Sequence, residues 1–151
     1  LNGGTRVYPT LLKRDAVQTG PRIVRAEISE RARDMLRQVV VRGTASFGEV
    51  EGYEVGGKTG TADKPKENGG GYYSDKVIAT FASVFPANDP QYVLIVTFDE
   101  PSENSSDTPR RTAGWTAVPV AAEMIRRVAP LLGLRPQVDT TEPIGVTLTS
   151  N

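Results

Sequence analysis

Two β-rich runs, Lys76 to Phe85 and Gln91 to Phe98, are separated only by Pro86 to Pro90 (PANDP). A link this short joins antiparallel neighbours but not parallel ones, whose crossover needs about a dozen residues or more. The pair is therefore a hairpin, and its apolar face must be covered by other elements. Two helical patterns supply the cover. Ser29 can cap a helix whose apolar positions Ala32, Met35, Leu36, Val39 and Val40 repeat at helical spacing, with Gly43 as its stop. A second begins near Thr116, tolerates Pro119 in its first turn, and places Val118, Ala121, Ile125, Val128 and Leu132 on one face before Pro130 and Gly133 end it. The fold class is α+β, an antiparallel sheet packed by helices.

The connecting segments are polar or glycine-rich. Residues 1 to 28 mix Gly3, Gly4, Pro9, Gly20 and Pro21 with short apolar pieces, which predicts turns and short strands. GEVEGYEVGGKTGTA, from Gly48 to Ala62, reads as a strand in which glycines mark close approach of a ligand or another backbone. Asp63 to Asp75 reads as a polar, Gly-rich connection and Glu100 to Arg111 as a mobile loop, with 63–72 and 101–112 expected to be the most mobile internal segments. Arg31, Arg33, Arg37 and Arg42 lie along the first helix and read as a solvated face rather than a binding stripe.

Composition narrows the chemistry. The 151 residues carry 18 basic and 18 acidic side chains, so no net field draws the chain to a polyanion, and nucleic acid is not an expected partner. With no Cys and no His, there is no thiol nucleophile, imidazole base, disulfide, or thiolate or imidazole metal site. Proton transfer falls to Lys, Asp, Glu or Tyr, no cofactor or metal is expected, and composition leaves the compartment open. No apolar run reaches the roughly 20 residues of a membrane span. The opening LNGGTRVYPT lacks a signal peptide's basic start and apolar block and reads like the middle of a protein.

Lys58-Thr59-Gly60-Thr61 carries the chemistry. Side chains alternate along a strand, so the Thr59 and Thr61 hydroxyls share one face and Lys58 takes the other. Two hydroxyls and an ammonium on one short strand suit a small carboxylate, and Gly60 lets a substrate backbone lie alongside as an added strand. The same tetrapeptide equally fits an edge strand whose Lys discourages aggregation and whose Thr residues favour strand geometry.

K-T-G with S-x-x-K and S-D-N is the signature of penicillin-binding proteins and class A β-lactamases. LNGGTRVYPTLLKRD, VVVRGTA, GYEVGGKTGTADK, FASVFPANDPQYVLIVTFDEP and TAGWTAVPVAAEMIRRVAPLLGL follow in that order. Together they resemble a class B penicillin-binding protein, most of all the division-specific D,D-transpeptidases of septal peptidoglycan synthesis. The resemblance spans residues 1–136 as the C-terminal part of a transpeptidase domain and leaves 137–151 as a tail.

The resemblance implies a five-stranded antiparallel sheet sandwiched by helices, with the cleft at the KTGT edge strand. It implies that Thr59 and Thr61 hold the carboxylate of a D-Ala-D-Ala stem peptide or a β-lactam, that Gly60 belongs to the same binding strand, and that Lys58 supplies positive potential. The Thr61 backbone N–H would be half of an oxyanion hole. It further implies a place on the periplasmic side of the bacterial inner membrane, held by an anchor elsewhere in the protein, with the N-terminal remainder of the protein and division proteins as partners. The departure is the nucleophile, because these residues contain no S-x-x-K. Ser102-Glu103-Asn104 fits S-x-N as a string but follows KTGT, the reverse of the family order, and lies in a polar loop. Thr44 and Ser46 lack a Lys three residues on and read as turn hydroxyls. The chain alone is expected to be inactive. A non-catalytic β-lactam sensor or interaction module of the same fold is the other reading, and the GTA, FPANDP and DEP stretches resemble transpeptidases rather than β-lactamases.

Overall fold

The computed structural model describes residues 1–137, so the expected tail lies, but for Gln137, outside the described residues. A short ribbon of β1 (Thr5–Val7) and β2 (Thr19–Arg22) leads into α1 (Ala26–Arg42). A 3-10 turn at Ser46–Gly48 precedes β3 (Gly56–Pro65), β4 (Tyr72–Phe85) and β5 (Tyr92–Asp99), and α2 (Ala117–Leu131) closes the fold. The three long strands form one antiparallel sheet in the order β3-β4-β5. The hairpin stands as the spacing required, with Phe85 opposite Tyr92 across PANDP. The resemblance implied five strands in one sheet. Among the described residues the sheet has three, and β1 and β2 pair separately.

Ser29 is not the cap of α1. The helix starts at Ala26 after Arg25, and Ser29 is buried in its first turns, where its hydroxyl accepts the Gly3 N–H at 3.2 Å. Four of the five expected apolar positions face inward, Val40 buried and Ala32, Leu36 and Val39 half-buried, whereas Met35 is 68% exposed. Arg37 departs from the solvated face, since its guanidinium pairs with Glu49 and donates to the Val55 carbonyl at 3.0 Å.

The strand expected from Gly48 begins only at Gly56. Before it, the chain turns so that Val50, Tyr53 and Val55 plug the core, an arrangement that strand alternation could not produce. The expected connection from Asp63 to Asp75 shrinks to residues 66–71, because Asp63 pairs with Val77 and Pro65 with Tyr72. The segment after β5 closes on itself, with Glu103 and Arg110 exchanging backbone hydrogen bonds of 2.8 and 2.9 Å.

Register sets the two faces of the sheet. Thr59, Phe81 and Val96 lie side by side, as do Thr61, Ala79 and Phe98. This face packs against Val118, Ala121, Ala122, Ile125 and Ala129 of α2. Gly57 lies on it too, and a Cβ there would stand 2.6 Å from the Phe81 ring, so the ring occupies the space a side chain would take. On the opposite face Val93 and Ile95 are 68% and 62% exposed. Pro130 does not end α2 but sits in its last turn, while Leu132 lies past the helix and is exposed. Gly133, at φ +79°, makes the stop, and the next N–H, of Leu134, bonds back to the Ala129 carbonyl at 3.1 Å.

Candidate active site

Three elements converge on the KTGT segment. β3 has a neighbour on one side only, so its other edge is open among the described residues. Lys58 pairs with Ala82 and Thr59 with Phe81, which puts the Lys on the face opposite the two threonines. The Lys58 side chain is exposed, and its ammonium donates to the Thr59 carbonyl at 2.7 Å.

Each threonine hydroxyl has a partner from a different element. The Thr59 Oγ1 lies 2.7 Å from the Thr44 Oγ1, on the turn that ends α1. The Thr61 Oγ1 accepts the Ala113 N–H at 3.0 Å, from the turn that begins α2. These turns touch each other at Gly114, where a Cβ would stand 2.6 Å from the Thr44 carbonyl oxygen. Only a residue without a side chain lets them meet.

An aromatic wall stands beside this point. The Phe47 and Trp115 rings have centroids 5.0 Å apart, and the Arg110 guanidinium sits 3.7 Å over the Trp115 ring. Arg110 also stands 4.0 Å from the Glu103 carboxylate. Hydrogen bonds from Ser105 and the Arg110 charge hold that carboxyl below the usual range. A groove of about 370 Å³ lies alongside, lined by Phe98, Pro101, Trp115, Pro119 and Val120 among others. Ser102 is turned onto its own neighbour, its hydroxyl donating to the Asn104 Oδ1 at 2.7 Å. The string S-E-N is therefore a local turn, consistent with its position after KTGT.

At the far ends of the strands, the Lys64 ammonium bonds Asp99 at 2.9 Å and Glu100 at 2.7 Å, and Lys76 reaches Glu100 at 3.0 Å. The hydrogen bonds to Asp99 and Glu100 push Lys64 well above the ordinary lysine value, and those from Lys64 and Lys76 hold Glu100 below its own. The cluster fastens β3, β4 and the end of β5 to one another. The sequence singles out the KTGT residues but does not pair them with Thr44 or Ala113, nor does it point to Trp115 or Arg110. The stretches VVVRGTA and TAGWTAVPVA carry Thr44, Ala113 and Trp115 within the family resemblance, but nothing local in them shows that the fold sets Thr44 and Ala113 against β3.

Residues 1–125 match the penicillin binding protein transpeptidase domain family. The chain belongs to that family. It is of the FtsI/PBP3 type of class B penicillin-binding proteins. Over 123 residues it is 36% identical to a peptidoglycan D,D-transpeptidase FtsI homolog of Chlorokybus atmophyticus, a match that covers 82% of this chain and 17% of the relative. The transpeptidase domain of penicillin-binding protein 3 from Burkholderia pseudomallei superposes with a TM-score of 0.75 at 30% identity, covering 90% of this chain and 40% of that one. Penicillin-binding protein 3 of Mycobacterium tuberculosis, in complex with ampicillin, gives a TM-score of 0.71 at 30% identity and covers 94% and 34%. This penicillin-binding protein chain thus shares their helix and antiparallel-sheet fold while spanning well under half of each protein, and KTGT lies on its open-edged strand.

Proposed function

We propose that this chain forms part of the active site of a serine-type peptidoglycan D,D-transpeptidase that cross-links stem peptides in septal cell-wall synthesis and is acylated by β-lactams. One observation carries the reading. Thr59 and Thr61 stand two residues apart on one face of an open-edged strand, and each hydroxyl has a partner that can steer its proton outward. Such a pair suits the terminal carboxylate of D-Ala-D-Ala or of a penicillin, and Lys58 adds positive potential from the other face. Gly60 presents no side chain to a peptide that pairs with the strand.

The backbone supports a second role. N–H and C=O groups two residues apart in a strand point the same way, and the exposed Lys58 ammonium reaches the Thr59 carbonyl, as it would at the open edge. The Thr61 N–H then shares that edge and is available to a carbonyl oxygen that becomes negative as it is attacked. In the reaction, a serine Oγ attacks the D-Ala-D-Ala carbonyl, D-Ala leaves with the proton, and an amine of a second stem peptide displaces the serine. We assign that serine and its lysine to a part of the protein outside these residues, packed against the exposed Val93 and Ile95 face. Its setting would be the periplasmic side of the inner membrane, with division proteins as partners.

The test is a two-by-two cycle in the full-length protein. Thr59→Val should slow acylation by benzylpenicillin by about 10- to 100-fold, the equivalent of roughly 1.5–3 kcal/mol for a hydrogen bond to a charged group. It should slow acylation by the corresponding carboxamide much less. Equal slowing of both would mean that Thr59 shapes the strand rather than reads the anion. No acylation of the wild type would favour the non-catalytic module.

A further inference from the structure

Thr44 follows the glycine that ends α1, and its own placement is tightly fixed. The Gly43 and Ala45 N–H groups both return to the Val39 carbonyl, at 3.0 and 3.2 Å, Ala45 is fully buried, and the Gly114 backbone closes against the Thr44 carbonyl. Its side chain is exposed and contributes nothing to the core, yet its hydroxyl is aimed at Thr59 at 2.7 Å, the ordinary separation for O–H···O.

We propose that Thr44 is a positioning residue that donates its hydroxyl proton to Thr59 and thereby turns the Thr59 proton onto the substrate carboxylate. The inference rests on the reading of Thr59 as an anion donor. Geometry alone allows either hydroxyl to donate to the other. Chemistry breaks the tie once an anion arrives. A hydroxyl has one proton, a carboxylate accepts it more strongly than another hydroxyl does, and Thr44 then supplies the bond that Thr59 gives up. Donation into Thr59 also polarises its O–H toward the anion. Thr61 receives the same service from the Ala113 N–H, which can only donate. The two donors therefore differ: the Thr61 proton is turned outward before substrate binds, whereas the Thr59 proton is turned outward by the substrate, with Thr44 following it.

The experiment uses the full-length protein, with benzylpenicillin and its carboxamide as probes. Thr44→Val keeps the shape and removes the donor. It should slow acylation by benzylpenicillin about 2- to 10-fold, the range of one uncharged hydrogen bond, and change the carboxamide rate by less than about twofold. Thr44→Ser, which restores a hydroxyl at the same place, should recover the wild-type rate with the acid. An unchanged rate with benzylpenicillin, equal slowing of both probes, or no recovery in Thr44→Ser would overturn the proposal. Thr59→Val run alongside separates the two ideas. A carboxylate-dependent loss in Thr59→Val without one in Thr44→Val refutes the role of Thr44 alone, whereas no carboxylate dependence in either refutes both.

Discussion

The Thr61 hydroxyl oxygen accepts the backbone N–H of Ala113 at 3.0 Å, and so joins the open strand of the sheet to the turn from which α2 begins. Fifty-two positions of sequence are closed by that one bond. Beside it, the Thr44 to Thr59 bond makes the equivalent link from the strand to the end of α1. The face of KTGT that carries the hydroxyls is thus fixed from both helices, and neither link depends on the Lys58 side chain.

Replacing Thr61 with Val would leave the Ala113 N–H, on a fully buried residue, without its acceptor. The expected loss is about 1 kcal/mol, the low end for an unsatisfied donor because Thr61 itself is exposed and water can take its place. Urea unfolding of the transpeptidase domain measures it. Thr61→Ser should retain the stability, and a Val variant as stable as wild type would show that the bond holds nothing in place.

Gly57→Ala tests the packing under the same strand. The added Cβ would stand 2.6 Å from the Phe81 ring, and that ring is completely buried. Overpacking of this kind costs about 1–3 kcal/mol. A lower denaturant midpoint with unchanged slope is the expected result, and an unchanged midpoint would mean that Phe81 has room to move.

Much of this arrangement was legible because it follows from local rules. The PANDP hairpin, the body of both helices and the alternation that separates Lys58 from Thr59 and Thr61 all depend on neighbours in sequence. What was misread depends on tertiary context. Ser29 looks like a cap but lies inside α1, where its hydroxyl receives the Gly3 N–H, and Val50, Tyr53 and Val55 look like a strand but fold into a plug. Met35 obeys helical spacing and still faces outward, since spacing defines a stripe without fixing which edge of it meets the sheet. For the same reason Thr44 reads only as a turn hydroxyl and Ala113 is not singled out, since both are ordinary turn residues until the fold sets them against β3.

The chain by itself should form no covalent adduct with a fluorescent penicillin, since acylation needs a serine with a lysine partner and these residues contain no S-x-x-K. Denaturing electrophoresis reads this directly, against the full-length protein as the positive control. A stoichiometric labelled band from the 151 residues would place the nucleophile within them.

The ion cluster at the strand ends makes a prediction about pH. Hydrogen bonds from Lys64 and Lys76 hold the Glu100 carboxyl below its ordinary 4.5, so the unfolded chain binds its proton first as pH falls. The Glu100 contribution to stability is therefore complete above about 4.5 and is lost as pH falls through the lower folded value. Lys64 carries the opposite sign. Asp99 and Glu100 raise it above its ordinary 10.5, so its contribution is complete below that value and is lost as pH climbs through the raised one. Glu100→Gln keeps the shape and the left-handed backbone that Glu100 adopts at φ 52°, and removes only the charge. The difference in thermal midpoint between wild type and this variant should hold steady from neutral pH down to about 4.5 and then close. Because Asp99, Glu100 and Lys76 each keep more than a third of the side chain exposed, added salt should narrow the difference at neutral pH. A difference that widened on acidification would mean that Glu100 is destabilised by its surroundings, and the Lys64–Glu100–Lys76 bridge would not be what fastens the three strands.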